Sequence, residues 1–325
     1  MRKLTFTALL GALVLAAAPA VAQKGYPERP ITLTIAFPAG GSTDIGARIV
    51  SAIAEKALGQ SIVVVNKGGA GGQVGWTELS RQKPDGYHIG YINLPALNTV
   101  IADKDRQAIF DEKAFTPIIN QVLDPGVIWV AANSPYKTAK EVFEAAKAKP
   151  NTLRAATTGI LSDDHLAILM TEEAVKGVHF RLVHLVGGAA QMKETLAGNI
   201  DVSFDNVGSI VKQVKGGQVR ALAVMDSQRS KFLPDVPTMK EIGYPTVISS
   251  STRGIAGPKG MDPKIVKKLQ DVFKKAMEDP EHVKKMEDVG LAVKIMVGEE
   301  YQKYYENLHK QAIKYTEWAK SRPQK

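Results

Sequence analysis

Two glycine-bearing loops and one Asp-Asp-His triplet hold the residue types from which this sequence could build chemistry. The first loop, Phe37-Pro38-Ala39-Gly40-Gly41-Ser42-Thr43-Asp44, follows an apolar run and precedes a helical one. Adjacent glycines let the backbone turn sharply and bring unpaired amides close to a ligand, and a helix start favours an anion. The same residues also describe an ordinary capped helix, with Ser42 or Thr43 as the cap and Asp44 complementing the dipole. Residue types alone leave both readings open.

The second loop, Gly68-Gly69-Ala70-Gly71-Gly72-Gln73-Val74-Gly75, invites a dinucleotide reading but carries Val74 where that fingerprint needs its third glycine. A close-packed loop is the better description. Gly40-Gly41-Ser42 begins like a nucleophile elbow and fails at Asp44, where that pattern needs glycine. The histidines are scattered, without the spacing that puts two imidazoles on one helical face, and no phosphate-binding lysine loop is present. Asp163-Asp164-His165 could be drawn as a metal cluster, yet acidic residues opening a helix explain the aspartates with less. Zero cysteines exclude thiolate metal sites, iron–sulfur clusters and cysteine nucleophiles. No catalytic residue, metal or cofactor is expected.

The elements that must position these loops alternate along the chain. Strand-like runs at 31–37, 62–65 and 88–93 are separated by helical ones at 43–56, where Ile45, Ile49 and Ile53 share a face, and at 75–82. Residues 115–122 and 126–132 read as extended and flank an Asp124-Pro125-Gly126 turn. Helices then follow at 138–149, 164–175, 190–197 and 207–215, with strands at 153–157, 181–185 and 221–225. From Pro263 the chain turns mostly helical and ends in a helix over 299–320. This alternation argues for an α/β protein of parallel sheets flanked by helices, in which ligands bind at the carboxyl ends of the strands.

With 325 residues and 44% of them hydrophobic, the chain is long enough for two domains that each bury a core. Residues 1–22 read as a signal peptide: Arg2 and Lys3, an apolar stretch from Leu4 to Ala18, and the small-x-small site Ala20-Val21-Ala22, with cleavage before Gln23. That stretch is shorter than the roughly 20 residues a spanning helix needs. Without it, 40 basic residues stand against 33 acidic ones. A basic balance suits nucleic acid, anionic membranes or small anions, and export removes nucleic acid from that set. The densest basic run, Lys264 to Lys275, reads as the solvated outer face of a helix whose other side packs on the core.

Several motifs in order give the chain a resemblance. Tyr26-Pro27-Glu28-Arg29-Pro30-Ile31, the first loop, Leu58-Gly59-Gln60, Val63-Val64-Val65-Asn66, Gly69-Ala70-Gly71-Gly72, Pro84-Asp85-Gly86-Tyr87, Ala221-Leu222-Ala223-Val224 and Leu233-Pro234-Asp235-Val236-Pro237-Thr238 resemble the Bug family. Its members are extracytoplasmic solute-binding receptors of tripartite tricarboxylate transporters. The resemblance spans essentially the whole chain after residue 22. It implies a two-lobed periplasmic-binding-protein fold of type II, each lobe a mainly parallel sheet flanked by helices, joined by a two-strand hinge. Lobe 1 would hold residues 23–123 and 250–325, and lobe 2 residues 124–249.

The resemblance also implies a site. One ligand carboxylate would lie between the first loop, with Phe37, Ala39, Gly40, Gly41, Ser42 and Asp44, and a second-lobe loop with Thr158, Gly159, Ser162 and His165. Asn93, Gly187, Asp205 and Arg253 would complete the binding set, Asp205 toward the distal end of the ligand. Three departures are visible. Where the family usually has Gly-x-Gly-Ser, this chain has Gly159-Ile160-Leu161-Ser162; where it commonly reads Val-Pro-Tyr-Lys-Gly, this chain has Val183-His184-Leu185-Val186-Gly187; and Ser251-Thr252-Arg253-Gly254 replaces a segment with tryptophan and tyrosine. Arg253 either clamps a second carboxylate bidentately or makes a surface salt bridge.

By this resemblance the protein captures a small di-, tri- or aromatic carboxylate in the periplasm and delivers it to the membrane permease subunits of a tripartite tricarboxylate transporter. An input protein for a membrane sensor kinase is the alternative. A secreted nucleotide-dependent enzyme is a third class that no complete motif supports.

Overall fold

The computed structural model describes residues 25–321, so the expected signal peptide and its cleavage site lie outside the described residues. The chain runs β1 (Ile31–Ile35), α1 (Ser42–Leu58), β2 (Ile62–Asn66), α2 (Gln73–Ser80), β3 (His88–Leu94), α3 (Ala96–Ala102) and β4 (Phe115–Ala131). It continues through α4 (Ala139–Ala148), β5 (Arg154–Thr157), α5 (Asp163–Ala174), β6 (Arg181–His184), α6 (Gly188–Leu196), β7 (Val202–Asn206), α7 (Val207–Lys215) and β8 (Val219–Val224). It ends with β9 (Ser250–Pro258), α8 (Pro263–Glu278), α9 (Pro280–Asp288), β10 (Val293–Val297) and α10 (Gly298–Ser321).

Two sheets share one strand. In the first, β2, β1 and β3 are parallel, β9 runs antiparallel beside β3, and β4 and β10 follow antiparallel in turn. In the second, β6, β5 and β7 are parallel, with β4 antiparallel beside β7 and β8 antiparallel beside β4. Each sheet is thus a parallel trio, built by strand–helix–strand crossovers, edged by antiparallel strands. Leu33, Ile35, Ala47, Val50 and Phe273 lie in the core of the first sheet, and Ile128, Val142, Phe143, Leu169 and Phe204 in that of the second. The basic run falls on α8, which buries Leu269, Val272 and Phe273 and pairs Lys267 and Lys274 with Asp271 and Glu278 on its outer side.

The expected turn at Asp124-Pro125-Gly126 does not exist. β4 continues through it, pairing with β9 as far as Pro125↔Ser250 and with β7 from Gly126↔Asn206. Turn-forming residues mark a change of sheet instead: Pro125 has no amide to donate, and a Cβ on Gly126 would press on Met225 Sδ at 3.1 Å and Ser249 Cβ at 3.3 Å. Other differences are local. The stretch after β3 contains α3, and β10 is an additional edge strand. On α1 the buried stripe runs through Gly46, Ala47, Val50, Ile53 and Ala54, with Ile45 and Ile49 at its half-buried margin, because Gly46 brings the helix close to Gln121. The glycine cluster is close-packed as expected: a Cβ on Gly72 would strike the Trp76 ring at 2.6 Å, and one on Gly75 would meet Ala36 and Lys67 at 2.8 Å.

α10 lies across both sheets. Tyr301 and Tyr305 are buried in the core of the first lobe, and Tyr315 in that of the second. At its start the packing is tight: a Cβ on Gly254 would collide with the Tyr301 hydroxyl, which is itself buried without a hydrogen-bond partner. Two outcomes follow. Tyr301→Phe, which removes an unsatisfied group, leaves the urea midpoint unchanged or raises stability by about 1 kcal/mol. Gly254→Ala lowers it by about 1–3 kcal/mol, and adding Tyr301→Phe restores part of the loss.

Candidate functional site

The first loop joins β1 to α1 at the carboxyl end of the parallel trio. Gly41 is the N-cap of α1 with φ −75°, and no side chain caps the helix, so neither Ser42 nor Thr43 plays the expected role. Thr43 instead accepts a hydrogen bond from Asn93 Nδ2 at 2.8 Å, at the end of β3. The Asp44 carboxylate turns back into the loop: Gly40 N donates to it at 2.9 Å, and Arg48 Nε and Asn66 Nδ2 at 3.0 Å. Burial opposes its charge, but the bonds from Arg48, Gly40 and Asn66 outweigh burial and hold its pKa below the ordinary value. Asp44 therefore shapes the loop and leaves Ala39, Gly40 and Gly41 exposed, with Phe37 half-buried edge-on to Trp76.

The second-lobe loop joins β5 to α5 and uses the same device. Asp164, in the first turn of α5, accepts from Thr158 N at 3.1 Å and Thr158 Oγ1 at 2.5 Å. Ser162 is the N-cap and accepts from His165 N at 3.3 Å. His165 is buried, and its Nδ1 accepts from Leu161 N at 3.0 Å, which puts the ring proton on Nε2 and gives it the loop-orienting role. Leu161 stands where the family pattern has glycine and holds a left-handed φ of +59°. Its strain is offset by a side chain buried in the second-lobe core. His184, one of the departures, lies behind the loop, 2.8 Å from Thr157 Oγ1 and with its ring 4.6 Å from that of His165; burial lowers its pKa. Gly187 donates to Thr158 O at 3.2 Å and precedes α6, again without a side-chain cap.

The expected distal residues meet where the sheets cross. Arg253, on β9 opposite Asn93, is 3% exposed and donates from Nη1 to Asp124 Oδ2 at 3.1 Å. It is not a surface salt bridge: Nη1 is committed to a carboxylate that the sequence reading had placed in a turn, while its Nε is buried without a hydrogen-bond partner. Asp124 Oδ1 also accepts from Gly208 N at 2.9 Å. Asn206 bridges the cluster, donating through Nδ2 to Asp163 Oδ2 at 2.9 Å and to Asp124 O at 3.3 Å, while its amide donates to Asp205 Oδ1 at 2.6 Å.

Four carboxylates, Asp124, Asp163, Asp164 and Asp205, thus share a region whose buried cation is Arg253. Burial raises the pKa of all four: Asp164 stands well above the ordinary carboxylate value, and Asp205 is pushed up to about 7 by burial and by the charges of Asp163 and Asp124. Among the described residues no group of three acidic or histidine side chains is arranged to hold a metal ion. The structure therefore assembles Phe37, Ala39, Gly40, Gly41, Ser42, Asp44 and Asn93 at one helix start and Thr158, Gly159, Ser162, His165, Gly187 and Asp205 at the other side, with Arg253 at the crossing. Sequence reading missed Thr43, Asn66, Arg48 and Asp124. An aspartate inside an apolar strand was the available signal for the last, since a buried carboxylate needs a cation.

The tripartite tricarboxylate transporter family receptor model matches residues 46–316. A Cupriavidus necator protein, "UPF0065 protein in gbd 5'region", is 36% identical over 300 residues, 91% of this chain and 90% of its own length. The periplasmic binding protein BugD is 30% identical with a TM-score of 0.78, covering 90% of this chain and 98% of that one. MatC from Rhodopseudomonas palustris, solved with bound malate, is 26% identical with a TM-score of 0.75, over 90% of this chain and 99% of that one. The family is one of receptors rather than enzymes, and BugD and MatC share the two-lobed fold. With a family match across residues 46–316, and a relative 36% identical over 91% of its length, the chain belongs to the receptor family of the tripartite tricarboxylate transporters.

Proposed function

We propose that this receptor works in the periplasm, after cleavage before Gln23, and closes on a small di-, tri- or aromatic carboxylate that it passes to the permease of a tripartite tricarboxylate transporter. Lobe 1 would comprise 23–123 and 250–325, and lobe 2 124–249, with β4 and the start of β9 as the hinge. The observation that carries the reading is the start of α1: a 17-residue helix without a side-chain cap, behind exposed Gly40 and Gly41, whose own aspartate is turned inward. An anion there meets the first-turn amides and the positive end of the helix. Malate in MatC is a ligand of this chemistry. Asp205, protonated below about pH 7, donates to the distal end of the ligand and does not repel it.

The test is a thermal-shift panel of di-, tri- and aromatic carboxylates beside their amides. At 100 times its dissociation constant a carboxylate stabilises by about 2.7 kcal/mol and its amide does not. Amides alone moving the transition would overturn the carboxylate reading. Gly41→Val should fold normally, because Gly41 has an ordinary φ and its Cβ would meet nothing closer than Pro38 O at 3.5 Å, and should abolish the shift.

A second outcome concerns pH. Because the folded pKa of Asp205 lies above its unfolded value of 3.8, the folded state holds this proton more tightly, and its contribution to stability is full below pH 4 and lost as pH rises toward about 7. Urea midpoints between pH 4.5 and 7.5 should show the wild type losing stability relative to Asp205→Asn across that window (roughly one charge's worth of slope). A constant difference would place Asp205 in ordinary ionisation.

A further inference from the structure

The second-lobe ligand loop is gripped from the first lobe by residues that belong to neither helix start. Thr99, on α3 and 2% exposed, has its Oγ1 2.9 Å from Leu161 O and 2.9 Å from Ala96 O. Arg106, in the 3₁₀ turn after α3, donates from Nη2 to Ile160 O at 3.3 Å and from Nη1 to Ala70 O at 3.0 Å. First-lobe partners fix this guanidinium. Asp103 lies 3.4 Å from its Nε, Gln73 Nε2 donates to the Arg106 carbonyl at 2.9 Å, and a Cβ on Gly71 would stand 3.2 Å from Nη1. The glycine cluster that fails as a nucleotide loop is therefore the socket of Arg106. Lys320, near the end of α10, pairs with Asp103 and closes the network.

The gripped carbonyls are those of the loop's exposed tip and of its strained residue. Ile160 is 56% exposed, and Leu161 holds φ +59° with its amide on His165 and its carbonyl on Thr99. A β-carbon residue in that conformation persists only where its surroundings over-determine it. Here the surroundings come from both lobes: His165 and the core on one side, Thr99 and Arg106 on the other.

We infer that Thr99 and Arg106 are positioning residues that reach across the lobe boundary and hold the backbone of Gly159–Ser162 in its binding form, so that this loop takes its final shape when the lobes are together. The inference rests on the proposed ligand role of that loop. Neither side chain need touch the ligand. The grip couples closure to site formation, since a loop ordered before the ligand arrives loses less freedom on binding.

The test reads loop order without any ligand. Hydrogen exchange of peptides covering 157–166 is measured for the wild type, Thr99→Val, Thr99→Ser and Arg106→Gln, with urea midpoints as the control for folding. Thr99→Val and Arg106→Gln should speed exchange of that segment about fivefold while the exchange of α4 and β7 stays unchanged, and Thr99→Ser should behave as wild type. Unchanged loop exchange in Thr99→Val and Arg106→Gln overturns the inference, as does faster exchange spread evenly over the second lobe. In a second arm, malate and the carboxylate panel are titrated into the same proteins. Any carboxylate that binds the wild type should bind Thr99→Val about tenfold more weakly and Thr99→Ser normally. If no carboxylate binds the wild type, the ligand reading fails, while the exchange result still decides the grip.

Discussion

The buried ion pair between Arg253 and Asp124 is the constraint on which the two-lobed arrangement depends. It sits where β4 passes from the first sheet into the second beside the start of β9, with both side chains at most 4% exposed and the charged atoms 3.1 Å apart. Its attraction is spent largely against desolvation, so the pair adds little net stability, but removing either partner strands a buried charge at a cost of about 3–5 kcal/mol. What it secures is geometry. Asp124 ties β4 to the start of α7 through Gly208 N, and Arg253 stands opposite Asn93, which holds Thr43 in the first turn of α1. One pair thus links the start of α7 to the strand that holds the first turn of α1.

Each lobe then prepares its own loop by the same means. An aspartate in the first turn of the helix reaches back to an amide of the loop before it, Asp44 to Gly40 and Asp164 to Thr158. At Asp44, whose pKa is lowered, the contact uses the helix dipole twice: it favours the carboxylate near the positive end, and it turns that carboxylate away from where an incoming anion would meet the remaining amides; at Asp164 burial raises the pKa, and the contact serves to hold the loop. A surface lysine could bind the same anion, but it would bring rotamer entropy and a strongly hydrated charge into a cleft that must close. Backbone amides fixed by Asp44 and Asp164 are already ordered, and they lose little on binding.

How much of this was legible in the sequence depends on whether the signal was local. The helix starts at 42 and 163, the strand-helix alternation and the close-packed glycine cluster were legible because glycine, serine and aspartate act within a few residues of themselves. Asp124-Pro125-Gly126 was misread for the same reason: its composition is that of a turn, while its conformation is set by β9, β7 and Met225, which lie far along the chain. Arg253 was recognised as a charge by the hinge but not as the partner of Asp124, since nothing local links positions 129 residues apart. Thr99 and Arg106 gave no signal at all, because their partners are carbonyls, and a carbonyl has no identity in a sequence.

Leu161 shows how such long-range contacts change what a motif position will accept. A left-handed residue without glycine costs about 1–2 kcal/mol. Fully burying a leucine side chain stabilises by about 1.5–3 kcal/mol, so the packing of Leu161 in the second-lobe core is sufficient to carry the strain. The backbone shape that glycine permits is therefore kept by another route, with the amide held by His165 and the carbonyl by Thr99. The consequence differs from that of glycine in one respect. A glycine loop samples its conformation from either lobe alone, whereas this one is fixed by contacts from both, which makes the lobe boundary part of the binding geometry.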